Sequence, residues 1–192
     1  MASSIPSGDW PVRYLPVTVG ADLTLIRQSG LLAFVGPICA YPVGFLFYLT
    51  ISANPRALDP RLQAGPPEDL VNFWTMDESQ PAARIKVGFS DDRTAESGDD
   101  TAGQPTASCI LLSYSGGFPS LRSNAPVLTA ESCWWVSPLP PAGPVHFAIT
   151  LPEFPGGTGS AAAGHAELDA SLITVAASKS SPLWPGAESD SP

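Results

Sequence analysis

The chain has 192 residues, of which 44% are hydrophobic and only 14% are charged. That length suits a single domain, and the apolar content is enough for a real core. The net charge is −9 and the nine basic residues are scattered singly, so a nucleic acid or an anionic membrane surface would be repelled. We therefore expect no nucleic-acid partner and no membrane partner.

The cysteines predict a reducing compartment. Cys39, Cys109 and Cys133 are too few, and odd in number, for a disulfide framework. The opening residues, MASSIPSGDWPVRY, lack the basic and apolar regions of a signal peptide. Both observations indicate a cytoplasmic protein whose thiols act as small buried hydrophobes.

In chain order, an extended lead-in over residues 1–20 precedes a first strand over residues 21–27. Residues 31–51 carry no charge and are long enough to cross a membrane. Two glycines and two prolines between Gly36 and Gly44 break this run. From Phe45 to Ile51 apolar and partly polar positions alternate, which is typical of a strand with one buried face. The run therefore predicts a β-hairpin with a Tyr-Pro-Val-Gly turn.

The rest of the chain continues with short strands and turn-rich loops. A proline-rich loop over 54–67, a strand or helical turn over 69–76, a mobile acidic loop over 90–108 and a disordered tail over 181–192 are expected. Further strands are predicted over residues 83–89, 109–114, 131–137, 145–151 and 165–172. Eight or nine such strands with little helix predict one domain over residues 21–180, an antiparallel, immunoglobulin-like β-sandwich of two sheets.

Two motifs carry a family resemblance. They are Ala40-Tyr41-Pro42-Val43-Gly44-Phe45-Leu46-Phe47 and Trp135-Val136-Ser137-Pro138-Leu139-Pro140-Pro141-Ala142-Gly143-Pro144. With them, the chain resembles a family of small all-β bacterial proteins, mostly actinobacterial, over roughly residues 20 to 184. In that family the turn often reads Tyr-Pro-Thr-Gly-Phe-Glu-Phe, so Val43 and Leu46 replace polar residues here. The resemblance implies a fold and a bacterial cell, and it implies no activity.

The sequence carries no recognisable catalytic constellation. The two histidines, His146 and His165, fall on a half-exposed strand position and after a glycine-rich loop, and the cysteines lie in apolar strands where a thiol is inert. The pairs Asp91-Asp92 and Asp99-Asp100 share one loop but lack a calcium-binding spacing. We therefore predict no catalytic residue, no metal and no cofactor.

Binding has two candidate features. Trp134 and Trp135 are adjacent, and adjacent strand residues point to opposite faces, so one indole fills the core and the other faces outward or lies under a loop. An outward indole is a common anchor for partners. The loop over residues 138–144 holds two Pro-x-x-Pro spacings, although a connection between strands is the simpler interpretation.

These observations favour a non-catalytic binding module with Trp134 and Trp135 as its candidate site and another protein as its partner. Two alternatives stay open. One is a hydrolase that acts on a small or carbohydrate substrate through loop carboxylates. The other is a structural subunit that assembles through an open sheet edge.

Overall fold

A computed structural model of the chain describes residues 13–54, 84–97, 110–114, 128–151 and 161–184. These residues form strands and one short helix, α1 (Ala170–Ala177). The strands in chain order are β1 (Tyr14–Leu15), β2 (Val17–Val19), β3 (Leu23–Gln28), β4 (Leu31–Tyr41), β5 (Gly44–Ala53), β6 (Arg84–Phe89), β7 (Thr94–Glu96), β8 (Ile110–Tyr114), β9 (Leu128–Ser137), β10 (Pro144–Leu151), β11 (Ala162–Asp169) and β12 (Ser181–Pro182).

The strands form three antiparallel sheets. The larger sheet has the order β2-β4-β5-β9-β8, and β3 also pairs with β4; the smaller sheet has the order β11-β10-β6-β7. A third sheet consists only of β1 and β12. The predicted all-β antiparallel sandwich is confirmed, and its immunoglobulin-like strand order stays a prediction.

The charge-free run of residues 31–51 forms the predicted hairpin. β4 and β5 pair antiparallel from Leu31 opposite Ala53 to Tyr41 opposite Gly44. The register shifts between Val35 and Ile38, at the Gly-Pro break, so β4 carries a bulge there. Within the described residues no helix has the length and apolarity to cross a membrane.

The bulge divides one edge of β4 between two partner strands. β3 pairs with the residues before the bulge and β2 with Ile38–Ala40 after it. A β-carbon at Gly36 would collide with the backbone oxygen of Ala21, which links the two partner strands. Position 36 therefore requires glycine, because the connection between β2 and β3 crosses the bulge of β4 there.

The core fills the space between the two large sheets. Phe45, Phe47 and Phe147 meet there with ring centroids 5.2 to 6.4 Å apart, and all three are fully buried. Edge-to-face contacts such as that of Phe47 with Phe147 are favourable for aromatic rings. Alternate residues of β5 and β10 point into this layer, as the two-residue period of a strand requires.

The region after residue 164 differs from the predicted strand over 165–172. Here β11 ends at Asp169 and α1 begins, because the Asp169 carboxylate accepts a hydrogen bond from the Ser171 amide at 2.8 Å and caps the helix. Burial of Ile173 and of three alanines on one helix face then completes the core. The predicted tail begins as β12, since Ser181 and Pro182 pair with β1, and residues 185–192 lie outside the described residues.

The Pro-x-x-Pro segment is the connection between the two large sheets. It joins β9 to β10, and its residues Leu139 and Pro140 are partly or fully buried. Ser90 Oγ donates to the Ala142 carbonyl at 2.7 Å, and the Ala170 amide donates to the Gly143 carbonyl at 2.9 Å. These contacts anchor the loop against its own chain.

Candidate functional site

The two adjacent tryptophans of β9 lie on opposite faces of the larger sheet. Trp134 stands opposite Phe47 and belongs to the core, whereas Trp135 stands opposite Leu46 on the outer face. The prediction that one indole fills the core is therefore confirmed. Both side chains are buried, with 2% of each exposed. Neither indole presents an accessible surface in this conformation.

Trp135 belongs to a small apolar cluster on the outer face. The cluster consists of Leu46, Cys133 and Trp135, with Cys39 and Tyr41 packed against them. The Tyr41 and Trp135 rings meet edge to face with centroids 5.5 Å apart. Gly44 lies against the same indole, because a β-carbon there would come within 2.7 Å of Trp135 Cζ2. The indole is thus fitted closely to the turn of the hairpin.

The two described thiols are free and are poor nucleophiles. Burial raises the pKa of the Cys133 thiol to about 11, and burial also raises the pKa of Cys39. A thiol reacts as its thiolate, so both groups stay protonated and unreactive at neutral pH. This agrees with the interpretation of the cysteines as buried hydrophobes. Cys109 lies outside the described residues.

The Cys133 thiol is expected to lower the stability of the fold at alkaline pH. Its pKa is about 11 in the folded chain against an ordinary value of 9.0, so its contribution is complete below pH 9 and is lost as pH rises through 11. We expect the stability difference between wild type and Cys133→Ala, measured by urea unfolding, to shrink over that window by at most about 3 kcal/mol. A difference that stays constant from pH 8 to 11 would contradict this.

The described part of the acidic loop is ordered by its own contacts. Residues 90–97, expected to be mobile, form a tight turn and β7, with the Phe89 amide bonded to the Arg93 carbonyl at 2.8 Å. Asp91 Oδ2 accepts from Arg93 Nε at 2.7 Å, and the guanidinium lies 5.2 Å from the centre of the Phe89 ring. Asp91 therefore stabilises a turn. Asp99 and Asp100 lie outside the described residues.

The histidines lie on the polar outer face of the smaller sheet. His146 Nδ1 is 3.1 Å from Glu167 Oε1 on the neighbouring strand, and the two side chains are 46% and 59% exposed. His165 is also exposed. An exposed cross-strand pair of this kind is a surface contact. Among the described residues, no three His, Cys, Asp or Glu side chains are grouped so that they could hold a metal ion.

A groove opens between β2 and α1. It is an open depression with a volume of about 340 Å³, and it is lined mainly by apolar side chains. The lining includes Val17 and Val19 of β2, Leu172, Val175 and Ala176 of α1, and Lys179 just after the helix. This volume lies near the lower end of the roughly 300–1,000 Å³ that ligand pockets occupy.

The same corner of the molecule carries three exposed apolar side chains. Of the six large hydrophobic residues that are exposed in the described part of the chain, Leu172 and Val175 line the groove and Leu15 lies two residues before Val17. Leu15 pairs with Ser181, which brings β1, β12 and the end of α1 together. We call the groove together with Leu15 the α1 corner.

Sequence reasoning missed the α1 corner. Helix α1 reads ASLITVAA, a short apolar segment after an alternating strand, and this composition predicts a continuation of the strand. The local signal for a helix was Asp169, because aspartate is a preferred N-cap residue whose carboxylate can accept a hydrogen bond from an amide in the first turn. Comparison of the chain with protein-family models, curated proteins and solved structures gave no match.

Proposed function

We propose that this chain is a non-catalytic binding module whose contact surface is the α1 corner and whose partner is another protein. The observation that carries the proposal is the composition of α1. Its buried face includes Ile173, and its opposite face presents Leu172 and Val175, which are 49% and 52% exposed. Ser171 and Thr174 share this exposed side with the two large apolar side chains. The neighbouring exposed side chains of Leu172 and Val175, beside an apolar groove, support a contact surface here.

The net charge and the free cysteines support the proposed kind of partner and the proposed cell compartment. A net charge of −9 disfavours nucleic acid and anionic membranes as partners, and it is compatible with another protein. Cys39 and Cys133 are free, which is usual in a reducing cytoplasm. The resemblance to small all-β bacterial proteins supports a bacterial cytoplasm in particular. Trp134 and Trp135 were the first candidates for contact. In this proposal their role is structural, because they stabilise the larger sheet to which β2 belongs.

Affinity capture with matched variants tests the proposal. The immobilised wild type, a Leu172→Ser/Val175→Ser variant and a Val43→Ser/Tyr48→Ser control are each exposed to bacterial lysate. All four side chains are exposed, so each variant should stay folded. We expect one or more proteins to be retained by the wild type and the control and lost from the α1 variant, as quantitative mass spectrometry would report. Equal retention on all three, or retention on none, would overturn the proposal.

A further inference from the structure

The strand that borders the α1 corner, β2, is an edge strand of the larger sheet in the described part of the chain. β2 pairs along one side with Ile38–Ala40 of β4, and among the described residues no strand pairs with its other side. In an antiparallel strand, successive residues direct their N–H and C=O groups to opposite edges. Within Val17–Val19 at least one residue therefore presents both groups away from β4. Such groups can pair with an added strand.

The groove lies where alternate side chains of an added strand would reach. Val17 and Val19 of β2 form one wall, and Leu172 and Val175 of α1 form the other. A strand that pairs with β2 places every second side chain on the side of α1. The volume of about 340 Å³ suits a few apolar side chains and is too small for a folded element.

Lys179 indicates which charge a segment bound in the groove would carry. Among the described residues that line the groove, it is the single charged one, in a chain with a net charge of −9. Lys179 lies two residues before Ser181, which pairs with Leu15, and Leu15 lies two residues before Val17. Lys179 is therefore near the start of β2. A strand antiparallel to β2 would bring its own C-terminal end to this lysine.

We propose that the α1 corner binds an extended peptide segment of a partner protein, which adds to β2 as an antiparallel strand. Alternate apolar side chains enter the groove against Leu172 and Val175, and a carboxylate at the C-terminal end of the segment pairs with Lys179. The backbone hydrogen bonds to β2 contribute affinity, and the groove and the lysine select the sequence. This inference rests on the proposed function, since it names the partner chemistry of the same surface.

Selection from a display library of random octapeptides tests the inference. We expect the wild type to select peptides with apolar residues at alternate positions and a carboxylate at the C-terminal end. Lys179→Glu should reverse that preference toward a basic residue, and Lys86→Glu, the same charge change on the other sheet, should leave it unchanged. For the best wild-type peptide, Lys179→Glu and Val175→Gln should each weaken binding about tenfold, whereas Tyr48→Gln should have no effect.

Three outcomes would overturn the inference. The first is that the selected peptides bind the Lys179→Glu and Val175→Gln variants as tightly as the wild type. That result would contradict the inference but not the proposed function. Selection of no peptide, while the α1 variant still abolishes protein capture, would also overturn the inference and spare the proposed function. Light scattering that detects a dimer broken by Val175→Gln would overturn it as well, by naming a second copy as occupant. Circular dichroism of each variant would establish that it is folded.

Discussion

Replacing Trp134 with alanine is expected to lower the free energy of unfolding by about 3–5 kcal/mol, because the change removes a buried indole from between the two large sheets. The cost should lie at the upper end of that range. Besides leaving a cavity beside Phe47, the change removes a hydrogen bond from Trp134 Nε1 to Ser132 Oγ of 2.9 Å. Urea unfolding of the two proteins at neutral pH would measure the difference.

Trp184 provides the matched control, because the same substitution there removes an indole that is 69% exposed. We expect Trp184→Ala to change the free energy of unfolding by less than about 0.5 kcal/mol. Trp135→Ala should behave like Trp134→Ala, since that indole is equally buried in the outer cluster. If Trp134→Ala proved as harmless as Trp184→Ala, the assignment of Trp134 to the core would be wrong.

Replacing Gly164 with alanine is expected to destabilise the fold by about 3 kcal/mol through steric collision. Gly164 lies on β11 where the smaller sheet approaches β3 of the larger one. A β-carbon there would overlap the backbone oxygen of Leu25 and come within 2.8 Å of Ile26 Cγ1. A backbone atom cannot rotate aside as a side chain can, so the two strands must separate. Thermal and urea unfolding would both report the loss.

Gly20 is the matched control for that substitution. It lies in the connection from β2 to β3, and a β-carbon there would have no atom within 4 Å. Gly20→Ala should therefore be neutral or slightly stabilising, because alanine restricts the unfolded chain. An effect of Gly164→Ala no larger than that of Gly20→Ala would mean that β11 and β3 are not in close contact.

Trp134 and Gly164 belong to the frame that holds the α1 corner in place. β2 is attached to β4 by only three residue pairs, and α1 is held by its apolar face and the cap at Asp169. The substitutions Trp134→Ala and Gly164→Ala should therefore reduce binding indirectly, because they increase the unfolded fraction of the protein. Variants at Leu172, Val175 and Lys179 should reduce binding without loss of stability, because these side chains lie at the surface.

Much of the sheet structure was predictable because strands of five or more residues leave a periodic signal. Phe45 and Phe47 alternate with Leu46 and Tyr48, and the turn between β4 and β5 has the proline and glycine that its geometry needs. The opposite placement of Trp134 and Trp135 follows from the same two-residue period. The strands β6, β8, β9 and β10 start and end within a few residues of their predicted positions.

The candidate site depended on tertiary structure. β1, β2 and β12 have two or three residues each, too few for any period, and they become strands only because a partner strand lies beside them. The segment from Ala170 to Ala177 has the apolar, β-branched composition of a strand, and it becomes a helix because Asp169 caps it and Ile173 fills the core. Sequence by itself determined the all-β class, the main hairpin and the faces of its strands. Tertiary packing alone decided that β1 and β2 meet α1 and β12 at the α1 corner, because the contacts that join them are far apart in sequence.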